Sequence, residues 1–469
     1  MSLNLPRLML AAPASGSGKT LITCGILKAW KNRGLKVSSF KCGPDYIDPL
    51  FHREVLGIPS RNLDTFFTDG SMTRYLFERA ARNADVSILE GVMGYYDGAG
   101  TSTAASSYEL ADVLETPVVL IVNAKGMSLS VIPIIQGFLE YRKNSHIEGV
   151  ILNQISAGIY EKLRERIEQE LSIKVFGYVP KCPQLVIESR HLGLVMPQEV
   201  EHIQEKLQKL SELLEETLDL AALLACAQRA ARLERAEPEV LKILKKKKYS
   251  GLSLGIARDE AFCFFYQDNL KLFQELGAEP VYFSPLHDGE LPRDLDGLIL
   301  WGGYPELYAE QLSGNSGMRS DIQKVIAQGM PYLAECGGFL YLQKSLQDMK
   351  GTEWEMTGVY SGKAYRTDRL GRFGYITLTA NNDSQLLDRK NTIKGHEYHY
   401  FECTENGGDY CAKKPFGGRR WDCIRGGKNY AAGFPHLYYY SNPQFAAGFL
   451  RQCSNYKNVR EGRLKNETE

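Results

Sequence analysis

The chain has 469 residues, more than one hydrophobic core usually supports, so at least two domains are expected. Lys plus Arg number 56 and Asp plus Glu number 56, a zero balance that removes any general attraction to nucleic acid or to an anionic membrane, so a charged ligand must be held locally. The ten cysteines form no CxxC pair, and their spread from Cys24 to Cys453 fits neither a zinc site nor a secreted disulfide framework; reduced thiols in a cytoplasm are expected.

From residue 1 to 195, short apolar runs alternate with helical stretches: RLMLAA, TLITCGILKAWKNRG, KVSSF, VSILEG, PVVLIVNA, EGVILNQI and KVFGYVP. Such runs between turn residues predict an α/β domain, a parallel sheet covered on both faces with its ligand at the strands' C-terminal ends. The opening MSLNLPRLMLAAPA has the look of a short signal peptide. Cleavage there would remove the strand that positions the next motif, so that reading is rejected. No apolar run approaches the roughly twenty residues that span a bilayer.

That motif is APASGSGKT. Gly16, Ser17 and Gly18 form a loop whose N–H groups can turn around phosphate oxygens, Lys19 reaches the terminal phosphates of ATP, and Thr20 is placed to ligate magnesium. Pro13 stands where the first glycine of GxxxxGK[ST] belongs; the strand before and the helix after restore the specificity. Glu90, leaving the strand VSILEG, is expected as the acid for the metal, and Asn153, ending GVILN, as a hydrogen-bond partner for the base. FKCGPDYIDP, 40 to 49, crowds Lys41, Asp45 and Asp48 at one strand end, and YYDG adds Asp97. Several carboxylates and a lysine around ATP point to magnesium binding with substrate activation rather than simple hydrolysis. Arg190 and His191 in SRHLGL are substrate-contact candidates weighed against an ordinary surface loop.

Residues 196 to 250 read as a helical linker, with Ile203, Leu207, Leu210 and Leu214 on one face, ending in a solvated KKKK tether. A second doubly wound domain, 251 to 469, follows: LSLGIA, FFYQDNLKLFQELG, EPVYFS, DGLILWGG, MRSDIQKVIAQG and PYLAEC. The Gly- and Tyr-rich tail from about 355 is expected to add shorter strands to that sheet. In PYLAECGGFLYL the apolar run ends at Ala334, Cys336 sits at the turn and a helix begins, the shape of a nucleophile elbow. A helix N-terminus is expected to lower the thiol's pKa. Gly302 and Gly303 of WGGYPE supply oxyanion donors, and His436 is the candidate base. His396 and His399 of GHEYHY read as core or surface histidines rather than a metal pair.

The half from 252 onward resembles the class I, triad-type glutamine amidotransferases: GGYPE, then ECGGFLYL, then a late histidine. The resemblance makes Cys336 the nucleophile and His436 its base. Tyr438 stands where most of that class carry a glutamate. The cobyrinate and cobyrate branch lacks that glutamate, and GHEYHYFE matches its signature. The first half is similar to dethiobiotin synthetase, with Lys41 and Glu90 at corresponding places. Joined to KCGPDYIDP and EGVMGYYDG, the two halves resemble the cobyrinate a,c-diamide synthases.

This resemblance implies a carbon–nitrogen ligase of cobalamin biosynthesis that uses ATP, magnesium and glutamine to amidate the a and c carboxylates of a corrin by way of an acyl phosphate. Metal would sit on Thr20, Asp48 and Glu90. Lys41 would counter charge on the moving phosphoryl group, and Asp45 and Asp97 would orient substrate or take a proton from ammonia. Tyr46 would pack on the macrocycle. Rival readings are the same chemistry on cobyrate, hydrogenobyrinate or nickel sirohydrochlorin, and a regulatory P-loop ATPase with a non-catalytic amidotransferase-like module. Cobyric acid synthase ranks lower because its second-strand motif is asparagine-rich. The partners expected are small molecules; the oligomeric state stays open, a homodimer being one arrangement.

Overall fold

The fold is that of a computed structural model, which describes residues 2–183, 189–190, 193–194, 202–246, 249–382 and 384–462. The chain divides into two compact units, Met1–Pro238 and Glu239–Glu469.

In the first unit, strands β1 (Arg7–Ala11), β2 (Val37–Cys42), β3 (Ser60–Leu63), β4 (Val86–Glu90), β5 (Val118–Asn123), β6 (Ile147–Asn153) and β7 (Lys174–Val179) form one sheet in the order β3-β2-β4-β1-β5-β6-β7. Every pairing is parallel. β1 and β4 are buried at every residue, because helices cover both faces and leave no side to alternate toward water. Helix α1 (Lys19–Asn32) follows the glycine loop and α2 (Ile47–Glu54) follows the GPDY turn, so both loops open at the strands' C-terminal ends. The helix α3 (Ile203–Thr217), from the segment read as a linker, lies in this unit. It buries Leu207, Leu210 and Leu214 beside α1, where a Cβ on Gly25 would fall 2.4 Å from Leu214 Cδ1; only glycine lets the two helices approach this closely. Ile203, expected on the same face, stays outside that buried set at the helix start. The helix Glu239–Lys246 belongs to the second unit.

The second unit has a six-stranded sheet built from β8 (Leu252–Ala257), β9 (Ala278–Phe283), β10 (Gly297–Leu300), β11 (Tyr332–Glu335), β12 (Arg425–Gly426) and β13 (Tyr430–Gly433), in the order β9-β8-β10-β11-β13-β12. Only β12 is antiparallel to its neighbour. The tail does not simply extend this sheet as the sequence suggested. Apart from β12 and β13, most of its strands build a separate five-stranded antiparallel sheet and a four-stranded mixed one. The reason lies in the pattern: RFGYITLTA, 372–380, alternates buried and half-exposed residues along its second half, the mark of an antiparallel strand wetted on one face. The five-stranded sheet carries Thr392–His399 beside His436–Leu437 and sets His396 directly opposite His436.

Candidate active sites

At the first site the loop from Pro13 to Lys19 leaves β1 with Gly16 at φ 76° and Gly18 at φ 91°, left-handed conformations that glycine adopts without strain. Ser17 Oγ donates to Ala14 O at 2.9 Å, and Asn153 Nδ2 donates to Ser17 O at 2.9 Å. Asn153 therefore braces the loop, while its Oδ1 accepts from Gln154 N at 2.9 Å. Sequence reasoning expected this side chain at the base; its amide engages the loop backbone in this structure. Lys19 Nζ donates to Met93 O at 2.6 Å and Ala14 O at 3.3 Å; burial and the neighbouring Lys41 lower its pKa to about 8.

Four predicted residues meet around Glu90, the last residue of β4. Lys41, its direct neighbour across the β2–β4 pairing, lies 2.7 Å from Glu90 Oε1 and 2.5 Å from Asp48 Oδ2. Thr20 Oγ1 donates to Glu90 Oε1 at 2.6 Å and to Asp48 Oδ2 at 3.4 Å. Lys41, Asp48 and Glu90 are all at most 4% exposed. Burial alone would discharge Lys41, but Asp48 and Glu90 outweigh it and hold the ammonium well above its ordinary value. The same lysine overcomes burial at Asp48 and keeps it ionised, whereas burial wins at Glu90 and raises it. Asp48 Oδ1 and Glu90 Oε2 are buried without a hydrogen-bond partner.

Two spare carboxylate oxygens beside a threonine hydroxyl match a hard divalent cation that keeps water and phosphate oxygens in its shell, as magnesium does. Among the described residues no group of three or more His, Cys, Asp or Glu could hold a metal ion.

Asp45 caps the start of α2, accepting from Ile47 N at 2.8 Å and Asp48 N at 3.3 Å; burial and the charge of Asp48 raise it to about 8. Tyr46 occupies the N-cap position, half-buried. Asp97 is exposed and accepts from Gly94 N at 2.9 Å, in the loop that holds Lys19. The Arg190 backbone pairs with Gly193, its side chain is not described, and His191 lies outside the described residues. Sequence reasoning missed His52, fully buried with Nε2 3.8 Å from Glu90 Oε2 and Nδ1 2.8 Å from Ser39 Oγ. Burial lowers it to about 4, so it stands neutral behind the carboxylates. Its signal was the helical spacing of four from Asp48.

At the second site Cys336 joins β11 to the short helix Gly337–Tyr341 with φ 46° and ψ −108°, a strained conformation for a residue with a Cβ. Its N–H donates to Gly433 O at 2.8 Å. The glycines that follow are obligatory: a Cβ on Gly338 would lie 1.9 Å from Leu300 O, and one on Gly337 3.0 Å from Gly303 N. The oxyanion candidate Gly303 thus abuts the elbow. A Cβ on Gly302 would fall 2.4 Å from Cε1 of His436, so glycine makes the space for the imidazole.

The thiol is half-buried, but the expectation of a depressed pKa is overturned. Burial, reinforced by Glu306, pushes Cys336 up to about 12, and the Gly337 N–H offsets little of that. A helix of five residues offers too few aligned dipoles to compete. Burial likewise holds His436 down to about 3, His396 to about 3 and His399 to about 4, so all three are neutral. His396 and His399, read as core or surface histidines, are both buried. Sequence reasoning passed over Glu335, Glu306 and Glu397, although each sits inside a quoted motif; the motifs marked backbone and thiol chemistry and left their acids unassigned.

The family profile of the CobQ/CobB/MinD/ParA nucleotide binding domain matches residues 8–194, and that of the CobB/CobQ-like glutamine amidotransferase domain matches 253–439. The chain is 39% identical over 451 residues to a cobyrinate a,c-diamide synthase of Caldanaerobacter subterraneus, covering 96% of this chain and 98% of the relative. It is 38% identical to the enzyme of that name from Listeria innocua, over 93% of this chain and 97% of the relative. Two family profiles cover the two units, and relatives of that name match the chain over nearly its whole length: the chain belongs to the cobyrinate a,c-diamide synthase family.

Proposed function

We propose that this chain converts two side-chain carboxylates of a corrin, the a and c positions of cobyrinate, to amides, with ATP activating each acid and glutamine supplying the nitrogen. The observation that carries the reading is the Thr20–Lys41–Asp48–Glu90 cluster at the mouth of a phosphate loop. A carboxylate is a poor electrophile, and conversion to an acyl phosphate makes it reactive toward ammonia.

Lys41, locked between Asp48 and Glu90, presents a fixed positive charge where the transferring phosphoryl group carries its negative charge. Thr20, Asp48 and Glu90 would hold magnesium, which when bound neutralises phosphate charge. Asp97, in the loop that holds Lys19, and Asp45, at the start of α2, would orient the substrate; Asp45, raised toward neutrality, is suited to exchange a proton with the attacking amine.

In the second unit Cys336 attacks the glutamine side-chain amide, and the amide nitrogen leaves as ammonia with a proton from His436. Water then hydrolyses the thioester to glutamate. Because the thiol is held neutral, its proton must pass to His436 as the sulfur attacks rather than beforehand. The strained elbow and the glycine-made space for His436 speak against a purely regulatory role for this unit. Mass measurement of products from cobyrinate, hydrogenobyrinate, cobyrate and nickel sirohydrochlorin, each with ATP, magnesium and glutamine, tests the substrate. Conversion of two carboxyls of cobyrinate to amides is expected; turnover of another macrocycle in its place would overturn the assignment.

A further inference from the structure

A base that takes a thiol proton becomes an imidazolium, and a buried imidazolium needs a counter-charge on its far nitrogen. The position two residues after His436, where a carboxylate would supply it, is Tyr438, whose hydroxyl points to Asp268 Oδ2 at 3.5 Å. Another carboxylate occupies the place. Glu335 Oε2 lies 3.9 Å from His436 Nδ1, and both side chains are nearly sealed, 7% and 4% exposed.

We propose that Glu335, the residue immediately before the nucleophile, is the positioning carboxylate for His436 in the release of ammonia. This rests on the reading that the second unit hydrolyses glutamine.

The surroundings are built to hold this pair. Tyr439 Oη donates to Glu335 Oε1 at 2.8 Å and itself accepts from Trp301 Nε1 at 3.3 Å, and the Leu437 N–H also donates to this carboxylate, so the group is fixed with Oε2 nearest the imidazole. Asn269 clamps the strand that carries the histidine, donating to Leu437 O at 2.7 Å and accepting from Tyr439 N at 2.8 Å. The separation of 3.9 Å is about 1 Å beyond a hydrogen bond, a gap of the size that closes when substrate fills a catalytic site. The chain economy is simple: one strand end delivers both the sulfur and the carboxylate, so their spacing does not depend on the later loop that brings the histidine.

The other titratable groups around the pair do not compete. His396, directly opposite His436, and His399 are held neutral by burial; Glu397 faces Arg372 at 3.9 Å and feels Lys414; Glu306 and Cys403 interact with the thiol. Burial raises Glu335 to about 8, so its ionised fraction grows as the pH rises through that region. The proton balance is closed. The Sγ–H proton passes to Nε2 of His436 while Nδ1–H turns to Oε2 of Glu335. The thiolate adds to the amide carbon, and the proton on Nε2 leaves with ammonia.

Glutamine hydrolysis by the wild type and by Glu335→Gln, measured from pH 6 to pH 10, decides the matter. The expected result is a kcat lower by about 10²-fold or more, a KM for glutamine within about threefold, and loss of the wild type's rise with pH. A Glu335→Gln enzyme within about threefold of the wild type in kcat, with the rise intact, overturns the proposal alone. Absence of glutamine hydrolysis in the wild type overturns the reading beneath it and the proposal together. Should Glu335→Gln lose its thermal unfolding transition, Tyr439→Phe decides: without the hydroxyl that stabilises the carboxylate the rise should move to higher pH, and an unmoved rise overturns the proposal.

Discussion

Lys41 and Cys336 both stand near the C-terminal end of a parallel strand, yet burial treats them in opposite ways. Lys41 is 4% exposed and stays charged, because Asp48 and Glu90 touch its ammonium and a threonine hydroxyl shares one of their oxygens. Around Cys336 the half-buried Glu306, the buried acids Glu335 and Glu397 and the buried histidines His396, His399 and His436 have little opposite charge in contact, and removal from water drives each toward its neutral form. The difference matches the chemistry each end must do. Phosphoryl transfer stabilises charge already present on the substrate, so a preformed ion cage serves it. Amide cleavage creates charge from neutral partners, so a neutral cluster that ionises only during attack avoids the cost of holding a naked thiolate.

The sharpest way to break the comparison is Cys336→Ala. Glutamine-dependent amidation should fall by about 10³-fold or more while amidation with ammonium salts persists. Parallel loss of both would mean that the two ends do not divide the work. Next in size, Glu90→Gln removes one acid from the ion cage; amidation should drop by about 10²- to 10³-fold with glutamine hydrolysis largely kept. Equal amidation in that variant would take Glu90 out of the metal and phosphoryl site.

Gly302→Ala sharpens the second half of the comparison, since its methyl would lie 2.4 Å from Cε1 of His436. Displacing the imidazole should cost glutamine hydrolysis about 10- to 10²-fold without touching ammonium-dependent amidation. The smallest effect is on stability. Glu335 has a folded value of about 8 against 4.5, so between those values the unfolded chain has released a proton that the folded one keeps. The buried histidines of this unit, held at about 3 to 4, act in the opposite sense below 6.5, so the Glu335 contribution is read as the difference between the wild type and Glu335→Gln. Followed by thermal unfolding, the wild type should lose stability relative to Glu335→Gln as pH rises toward 8 and level off above it; a difference that does not change with pH would contradict a buried, neutral Glu335.

The first site was largely legible in the sequence because its residues are short-range: Thr20 follows the loop, Lys41 and Asp48 bracket one turn, and only Glu90 comes from another strand, whose apolar run announced it. Asn153 was noticed at a strand end beside the loop, but its hydrogen bond to the Ser17 carbonyl was not legible, since a strand-end amide can reach either base or backbone and only packing shows the backbone contact. The second site was legible in its nucleophile and histidine, but not in its electrostatics. Whether a strand-to-helix turn lowers a thiol depends on helix length and on which acids lie nearby, and those acids come from separate places: Glu306 from the turn after Gly303, Glu335 from the nucleophile's own strand and Glu397 from the antiparallel sheet of the tail. Glu335 sat beside Cys336 in plain view. Nothing in a linear motif says that a residue next to the nucleophile turns back toward a histidine a hundred residues later.

The division of labour is tested most directly by tracing nitrogen. Glutamine labelled with heavy nitrogen in its side-chain amide is supplied with ATP, magnesium and cobyrinate, and the label in the product is counted by mass alongside ADP and glutamate. One labelled nitrogen, one ADP and one glutamate for each amide formed is the predicted result. Glutamate and ADP released without label in the macrocycle, or labelled amide formed without ATP consumption, would contradict the account.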